Sequence, residues 1–235
     1  AARARGLGVT ADVYPYTASY TTLAILFPPF ARPPNSYKKA KRDRFDDLTR
    51  HLRDRVNARN GPEATLFGPG KLAGKTLKEA AEKAGKPFEE FLADLGPGGG
   101  SAAYFVMDEE VLKVFLADPF VMFGTDGSAT SSHPRGYGTF AKVFDDYVTE
   151  EGPLTLALAV RKASALAAET LGFDRRGKLE PGYFADVVVF DRASFEDQAT
   201  FERPARRAKG MQSVIVGGVV AWDDGKPVKG RGGRA

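Results

Sequence analysis

The period of apolar and polar positions changes several times along this chain, and the changes mark its parts. Val9 to Tyr16 (V-T-A-D-V-Y-P-Y) is rich in β-branched and aromatic residues and follows Gly6, which reads as a helix stop. A strand is predicted there, ending at Pro15 because proline cannot donate to a central ladder. An apolar stretch from Leu23 to Phe30 then runs into Pro28-Pro29 and Pro33-Pro34, and a charged helix is predicted from Tyr37 to Asn57. Shorter helices are predicted at Thr76 to Ala84 and Pro87 to Leu95, followed by a glycine run, Gly96 to Gly100, read as a flexible joint.

Beyond the glycines the pattern alternates between β and α. Ser101 to Met107 reads as a strand, and Asp108 opens a helix whose acids Asp108, Glu109 and Glu110 suit the positive end of the helix dipole. Phe120 to Thr125 (F-V-M-F-G-T) is a continuous apolar run of strand length, the signature of a parallel strand buried on both faces. Thr155 to Leu171 is predicted as one helix capped by Thr155, with Leu156, Val160, Ala163, Ala167 and Leu171 on its apolar stripe. After Arg175 the chain reads as nearly all β: Ala185 to Phe190, then Ser213 to Trp222 folded into a hairpin at Gly217-Gly218, then a turn at Asp223 to Gly225. The basic tail from Lys226 to Arg234 reads as a frayed terminus.

Composition narrows the function classes. Hydrophobic residues at 43% and charged residues at 27% of 235 are those of a globular protein. The net charge of +4 is spread over mixed-sign segments such as Lys38 to Arg59, interrupted by Asp43, Asp46, Asp47 and Asp54, so nucleic acid is not expected as a partner. No apolar run is long enough to span a bilayer, no membrane partner is expected, and a chain without cysteine suits a cytoplasmic setting. The opening lacks both an initiator methionine and a signal-peptide core, and reads as the end of a helix, so the sequence is expected to be cut from something longer.

The residues that could carry chemistry cluster after the apolar run. Asp126, in G-T-D-G, stands at the C-terminal end of a predicted strand, where parallel barrels place their chemistry; the same position suits a helix cap or a turn. His133 and Arg135 follow on the same loop, and Arg135 is either a surface ion-pair residue or a two-pronged clamp for a carboxylate. Tyr14 and Tyr16 flank Pro15 at the end of the first strand, as oxyanion donors or as packing. With two histidines and no cysteine, a complete zinc site of nitrogen and sulfur ligands cannot be built from this chain. His51, on the charged helix, is read as a surface residue.

Three stretches resemble the N-acyl-D-amino-acid deacylase (D-aminoacylase) family of the amidohydrolase superfamily: D-V-Y-P-Y-T-A from Asp12, G-T-D-G with H-P-R-G-Y-G-T-F between Gly124 and Phe140, and G-K-L-E-P-G-Y-F-A-D-V-V-V-F-D from Gly177. The resemblance implies an α/β fold. Residues 1–175 would be the C-terminal part of a (β/α)8 TIM-type barrel carrying an insertion at about 18–100, and residues 176–235 part of a small β-sandwich domain. It implies a zinc-dependent hydrolase that cleaves the amide of N-acyl-D-amino acids, with Asp126 as catalytic acid/base, taking a proton from a metal-bound water and approaching the second metal position. Arg135 would clamp the substrate α-carboxylate, Tyr14 would orient that group or the scissile carbonyl, and His133 would join the substrate site. Where family members carry a small serine after Ala18, this chain has Tyr20, which would narrow the pocket. Most of the family's metal ligands have no counterpart here, so an N-terminal half of the enzyme is the expected partner. Two other readings stand beside this one: a cyclic-amide hydrolase of the hydantoinase or dihydroorotase kind, and a non-catalytic fragment or subunit.

Overall fold

The structure, a computed structural model, describes residues 2–128 and 132–233. In chain order a 3₁₀ turn (Arg3–Arg5) precedes the short strand β1 (Ala11–Val13), then come β2 (Ala18–Thr22) and two further 3₁₀ turns, Leu23–Leu26 and Pro29–Ala31. The helices α1 (Tyr37–Asp43) and α2 (Phe45–Asn57) follow, then β3 (Thr65–Phe67), α3 (Leu77–Lys83) and α4 (Phe88–Leu95). Next come β4 (Ser101–Phe105), α5 (Glu109–Ala117), β5 (Val121–Phe123) and α6 (Arg135–Lys142), which runs into a π-helical turn at Val143–Tyr147. The last part holds α7 (Leu156–Ala163), α8 (Ala165–Leu171), β6 (Val187–Phe190), β7 (Met211–Val216), β8 (Val219–Asp223) and β9 (Lys226–Pro227). The chain divides into two compact units, Tyr16–Asp108 and Ala1–Pro15 with Glu109–Ala235.

In the unit Tyr16–Asp108, β4 is the central strand of an antiparallel sheet ordered β2-β4-β3, with Tyr20 and Leu66 both paired to Ala103. Ala102 and Tyr104, two apart and therefore on one face, are fully buried. They meet Leu48, Leu52 and Val56, the i, i+4, i+8 stripe of α2, together with Leu92 of α4. The expected single helix over Tyr37 to Asn57 breaks at Arg44, whose φ of −140° leaves the helical region. Its guanidinium lies 3.8 Å over the Phe30 ring and pairs with Asp47, so a tertiary contact bends the chain where local propensity alone would continue it. A capping box fixes the start of α3: Thr76 accepts from the Glu79 amide at 3.2 Å while Glu79 accepts from the Thr76 amide at 2.8 Å. The glycine run is no joint but a bonded turn, with Gly96 N–H donating to Leu92, Gly99 to Gly96, and the Gly100 carbonyl accepting from Leu23.

In the other unit β1 and β5 pair in parallel, Asp12 opposite Met122, and both strands are shorter than the apolar runs that predicted them. Val121 and Phe123 are buried while Met122 is only partly covered. The fold is mixed α/β, and among the described residues these two strands form no closed barrel. Strands β6 to β9 make an antiparallel sheet in sequential order. The hairpin between β7 and β8 turns at Gly217-Gly218, both in the left-handed region (φ 56° and 83°), as a two-residue turn matched to strand twist requires. Part of the basic tail is ordered as β9, paired Lys226 to Asp223, with Val228 N–H donating to Ala221.

The helix predicted over Thr155 to Leu171 also differs from expectation. Thr155 caps it as read, accepting from the Leu158 amide at 3.2 Å, but it breaks at Ser164, whose hydroxyl bonds the Val160 carbonyl at 2.6 Å. The expected stripe is mostly outside: Leu156, Val160 and Leu171 are exposed, and Ala159, Lys162, Leu166 and Ala168 are buried instead. Lys162 explains the rotation. Its ammonium donates to the carbonyls of Phe115 and Leu116 in the last turn of α5 and of Asp118 just past it, so the helix turns a cation inward to meet carbonyls at another helix's end.

Burial pushes the Lys162 amine down to about 8, with Asp118 opposing. Between that value and lysine's ordinary 10.5 the unfolded chain binds the extra proton, so folding strengthens as pH rises through this window. Chemical denaturation should therefore show the wild type gaining about 2 kcal/mol over Lys162→Met between pH 8 and pH 10. A constant difference between the two across that range would show that the amine is not buried as described.

Candidate active site

The candidate site is built where β5 ends. The Gly124 N–H donates to the Val13 carbonyl at 3.1 Å, the last ladder contact, and the chain then turns through Thr125 into Asp126, a non-glycine residue with φ of 43°. That backbone turns the Asp126 side chain outward, where it is 67% exposed. Gly127 stays small for a steric reason: a Cβ there would stand 2.7 Å from the Gly136 Cα, so the loop touches the first turn of α6 backbone to backbone.

Arg135, on that first turn, is the centre of the arrangement. It is 4% exposed, and its Nε donates to the Asp126 carbonyl at 3.0 Å while Nη2 pairs with the Asp126 carboxylate at 2.7 Å. Its guanidinium carbon lies 4.7 Å over the ring of Tyr14, one residue past β1. Partial burial raises the Tyr14 phenol above its ordinary value, and the adjacent Arg135 charge works against that rise. Tyr14 is therefore a proton donor at neutral pH rather than a phenolate.

His133 is enclosed completely and its Nδ1 accepts the Arg135 backbone N–H at 3.0 Å. An acceptor at Nδ1 is the unprotonated nitrogen of the ring, so in this geometry the histidine caps the entry to α6. Its ring packs edge-on against Tyr14, with centroids 6.1 Å apart, and against Phe201 at 4.9 Å. The structure thus brings together Tyr14, Asp126, His133 and Arg135, and adds Phe201, while Tyr16 falls in the other unit. Nothing in the A-T-F-E-R run around Phe201 could have pointed to it, because its role comes from a long-range contact. Tyr20 belongs to the other unit, where its hydroxyl is 2.6 Å from Ser101 Oγ.

The donor set does not by itself hold a metal. Among the described residues no group of His, Cys, Asp and Glu side chains comes together in threes, the Asp126 carboxylate is engaged by Arg135, and His133 turns Nδ1 to a backbone amide. What the residues present can do is bind an anion at a fixed guanidinium and a phenol, beside one solvent-facing carboxylate.

A model described as the amidohydrolase family matches residues 113–221. The D-aminoacylase of Alcaligenes xylosoxydans xylosoxydans is 42% identical over 155 residues, covering 65% of this chain and 32% of its own length. The N-acyl-D-glutamate deacylase of the same organism is 34% identical over 229 residues, or 96% of this chain and 41% of the relative. This chain is similar to the N-acyl-D-amino-acid deacylases over nearly its whole length. A crystal structure of N-acyl-D-glutamate deacylase from Bordetella bronchiseptica, complexed with zinc and a phosphonate that mimics the tetrahedral intermediate, superposes with a TM-score of 0.73 at 29% identity, covering 95% of this chain and 42% of that one. The chain thus spans about two fifths, or less, of the length of these deacylases.

The backbone contact at Gly127 makes a prediction. Gly127→Ala must push the loop from α6 and should destabilise the protein by about 1–3 kcal/mol. Gly8→Ala, where an added Cβ meets nothing within 4 Å, should leave the melting temperature within error. Equal melting temperatures for both variants would remove the close approach from the account.

Proposed function

We propose that this chain forms part of a deacylase that hydrolyses the amide of N-acyl-D-amino acids to a carboxylate and a free D-amino acid. The observation that carries the proposal is the buried Arg135 guanidinium held against Tyr14 at 4.7 Å, next to an exposed Asp126 at the end of a parallel strand. Arg135 takes the α-carboxylate of the substrate through paired N–H donors, and the Tyr14 hydroxyl donates to the same group or to the scissile carbonyl. Asp126 takes a proton from the attacking water and delivers it to the leaving amine nitrogen, so that water's hydroxyl ends on the acyl carbon and the amine leaves neutral. His133 supports this set from behind as the cap of α6 and a wall for Tyr14.

The same reading extends to architecture and partners. The parallel β1–β5 pair would be a piece of a TIM-type barrel, Tyr16–Asp108 its insertion, and β6 to β9 part of a small β-sandwich. Zinc is the metal this reading favours, and its ligands would come from the remainder of the enzyme's length, since the described residues do not assemble a set of their own. Exposed apolar side chains in the unit that carries the site, Leu179 at 79% and Val114 at 69%, support burial against that remainder.

In the enzyme at full length, or reconstituted with its remaining part, Asp126→Asn should lower kcat on N-acetyl-D-amino acids by about 10²- to 10⁴-fold. Arg135→Gln should lower kcat/KM on N-acyl amino acids while sparing a neutral amide that lacks the carboxylate. Turnover of cyclic ureides in preference to linear N-acyl amino acids, or near-normal kcat for Asp126→Asn, would overturn the assignment.

A further inference from the structure

Arg135 and Asp126 are unequal partners. Arg135 is fixed from several sides: its guanidinium Nε donates to the Asp126 carbonyl with the ring of Tyr14 against its face, its backbone N–H donates to His133 Nδ1, and only 5% of the side chain is exposed. The Asp126 carboxylate is 67% exposed, and its recorded partner is Nη2 of Arg135 at 2.7 Å. Rotation about its side-chain bonds would carry the carboxylate into solvent without moving the backbone carbonyl that anchors Nε. A ligand carboxylate arriving from solvent therefore meets a guanidinium already paired with a second, mobile anion. Both cannot take the same N–H at full strength, and two carboxylates crowded at one cation repel each other.

We infer that Asp126 is an internal competitor for the anion position of Arg135, displaced when the α-carboxylate of a ligand binds. This rests on the reading of Arg135 as the carboxylate clamp. Entry of the substrate carboxylate exchanges one ion pair for another and sets the Asp126 carboxylate free for proton transfer, so the free acid group of the substrate acts on the reacting end as well as on affinity. An N-acyl amino acid amide or ester leaves Asp126 on Arg135, and the site discriminates against it twice.

The test is calorimetric titration of the enzyme at full length, or of this chain reconstituted with its remaining part, with a non-hydrolysable phosphonate analogue of N-acetyl-D-methionine that keeps the α-carboxylate. Asp126→Asn keeps the shape of the side chain and removes its charge, leaving a buried cation without its counter-ion, so it should bind the ligand about 3- to 10-fold more tightly than the wild type. Asp174→Asn, which removes a surface charge elsewhere in the same unit, should change affinity little. The methionine amide of the same ligand should show no gain from Asp126→Asn, and thermal melts of each variant establish that the fold is intact. Arg135→Gln should abolish binding of the acid. If Arg135→Gln abolishes binding but Asp126→Asn leaves it equal or weaker, the competition is overturned and the clamp stands. If Arg135→Gln binds as the wild type does, or if no form binds, the clamp itself falls and the competition with it.

Discussion

A guanidinium taken out of water has to find acceptors, and in this chain the need of one arginine organises the end of β5 and the start of α6. Arg135 is surrounded by the carbonyl and carboxylate of Asp126, the ring of Tyr14 and, through its amide, the imidazole of His133. The contacts come from the end of β1, the turn after β5 and the entry to α6. The left-handed turn at Asp126 and the backbone approach of Gly127 to Gly136 are the local cost of bringing those pieces to one point. Loss of the arginine would leave the turn, the loop and the helix cap without a common partner.

A second cation shows the same logic at a distance from the site. Lys162 is as well buried as a core leucine, and it is tolerated because three carbonyls at the C-terminal end of α5 accept from its ammonium. Its demand overrides the amphipathic pattern of the segment around it, turning Leu156 and Val160 outward and burying a lysine that lies off the predicted stripe. The stem of Lys162 also places its ammonium 5.0 Å from the Phe123 ring, on the strand that leads to Asp126. Support for the site thus reaches back into the helical layer through one charged side chain.

The unit Tyr16–Asp108 is arranged by simpler means. Its core follows the stripe of α2 and the alternation of β4, and its one half-hidden ion pair, Arg53 with Glu89, joins α2 to α4. Glu89 is nearly enclosed while Arg53 stays mostly in solvent, so the pair fixes the register of two helices more than it adds to stability.

The sequence alone determined most of the element order and four of the side chains that meet at the candidate site. Caps and turns were legible because their chemistry is local: Thr155 before an apolar run, Gly217-Gly218 between two β-branched runs, Pro15 after a strand. The capping box in T-L-K-E was equally legible from Thr76 and Glu79. Asp126, Arg135, His133 and Tyr14 could be selected because they stand at or after predicted strand ends, where parallel barrels place their chemistry, in stretches that resemble the deacylase family. Only the tertiary structure decided that Arg135 already holds a carboxylate, that His133 lies behind the site as a cap, and that Phe201 belongs with them. It also decided where two helices break, at Arg44 and Ser164. The reason is common to all of these: each depends on contacts between residues distant in sequence or on a side chain's choice between two partners, and neither is encoded in the period or composition of a single segment.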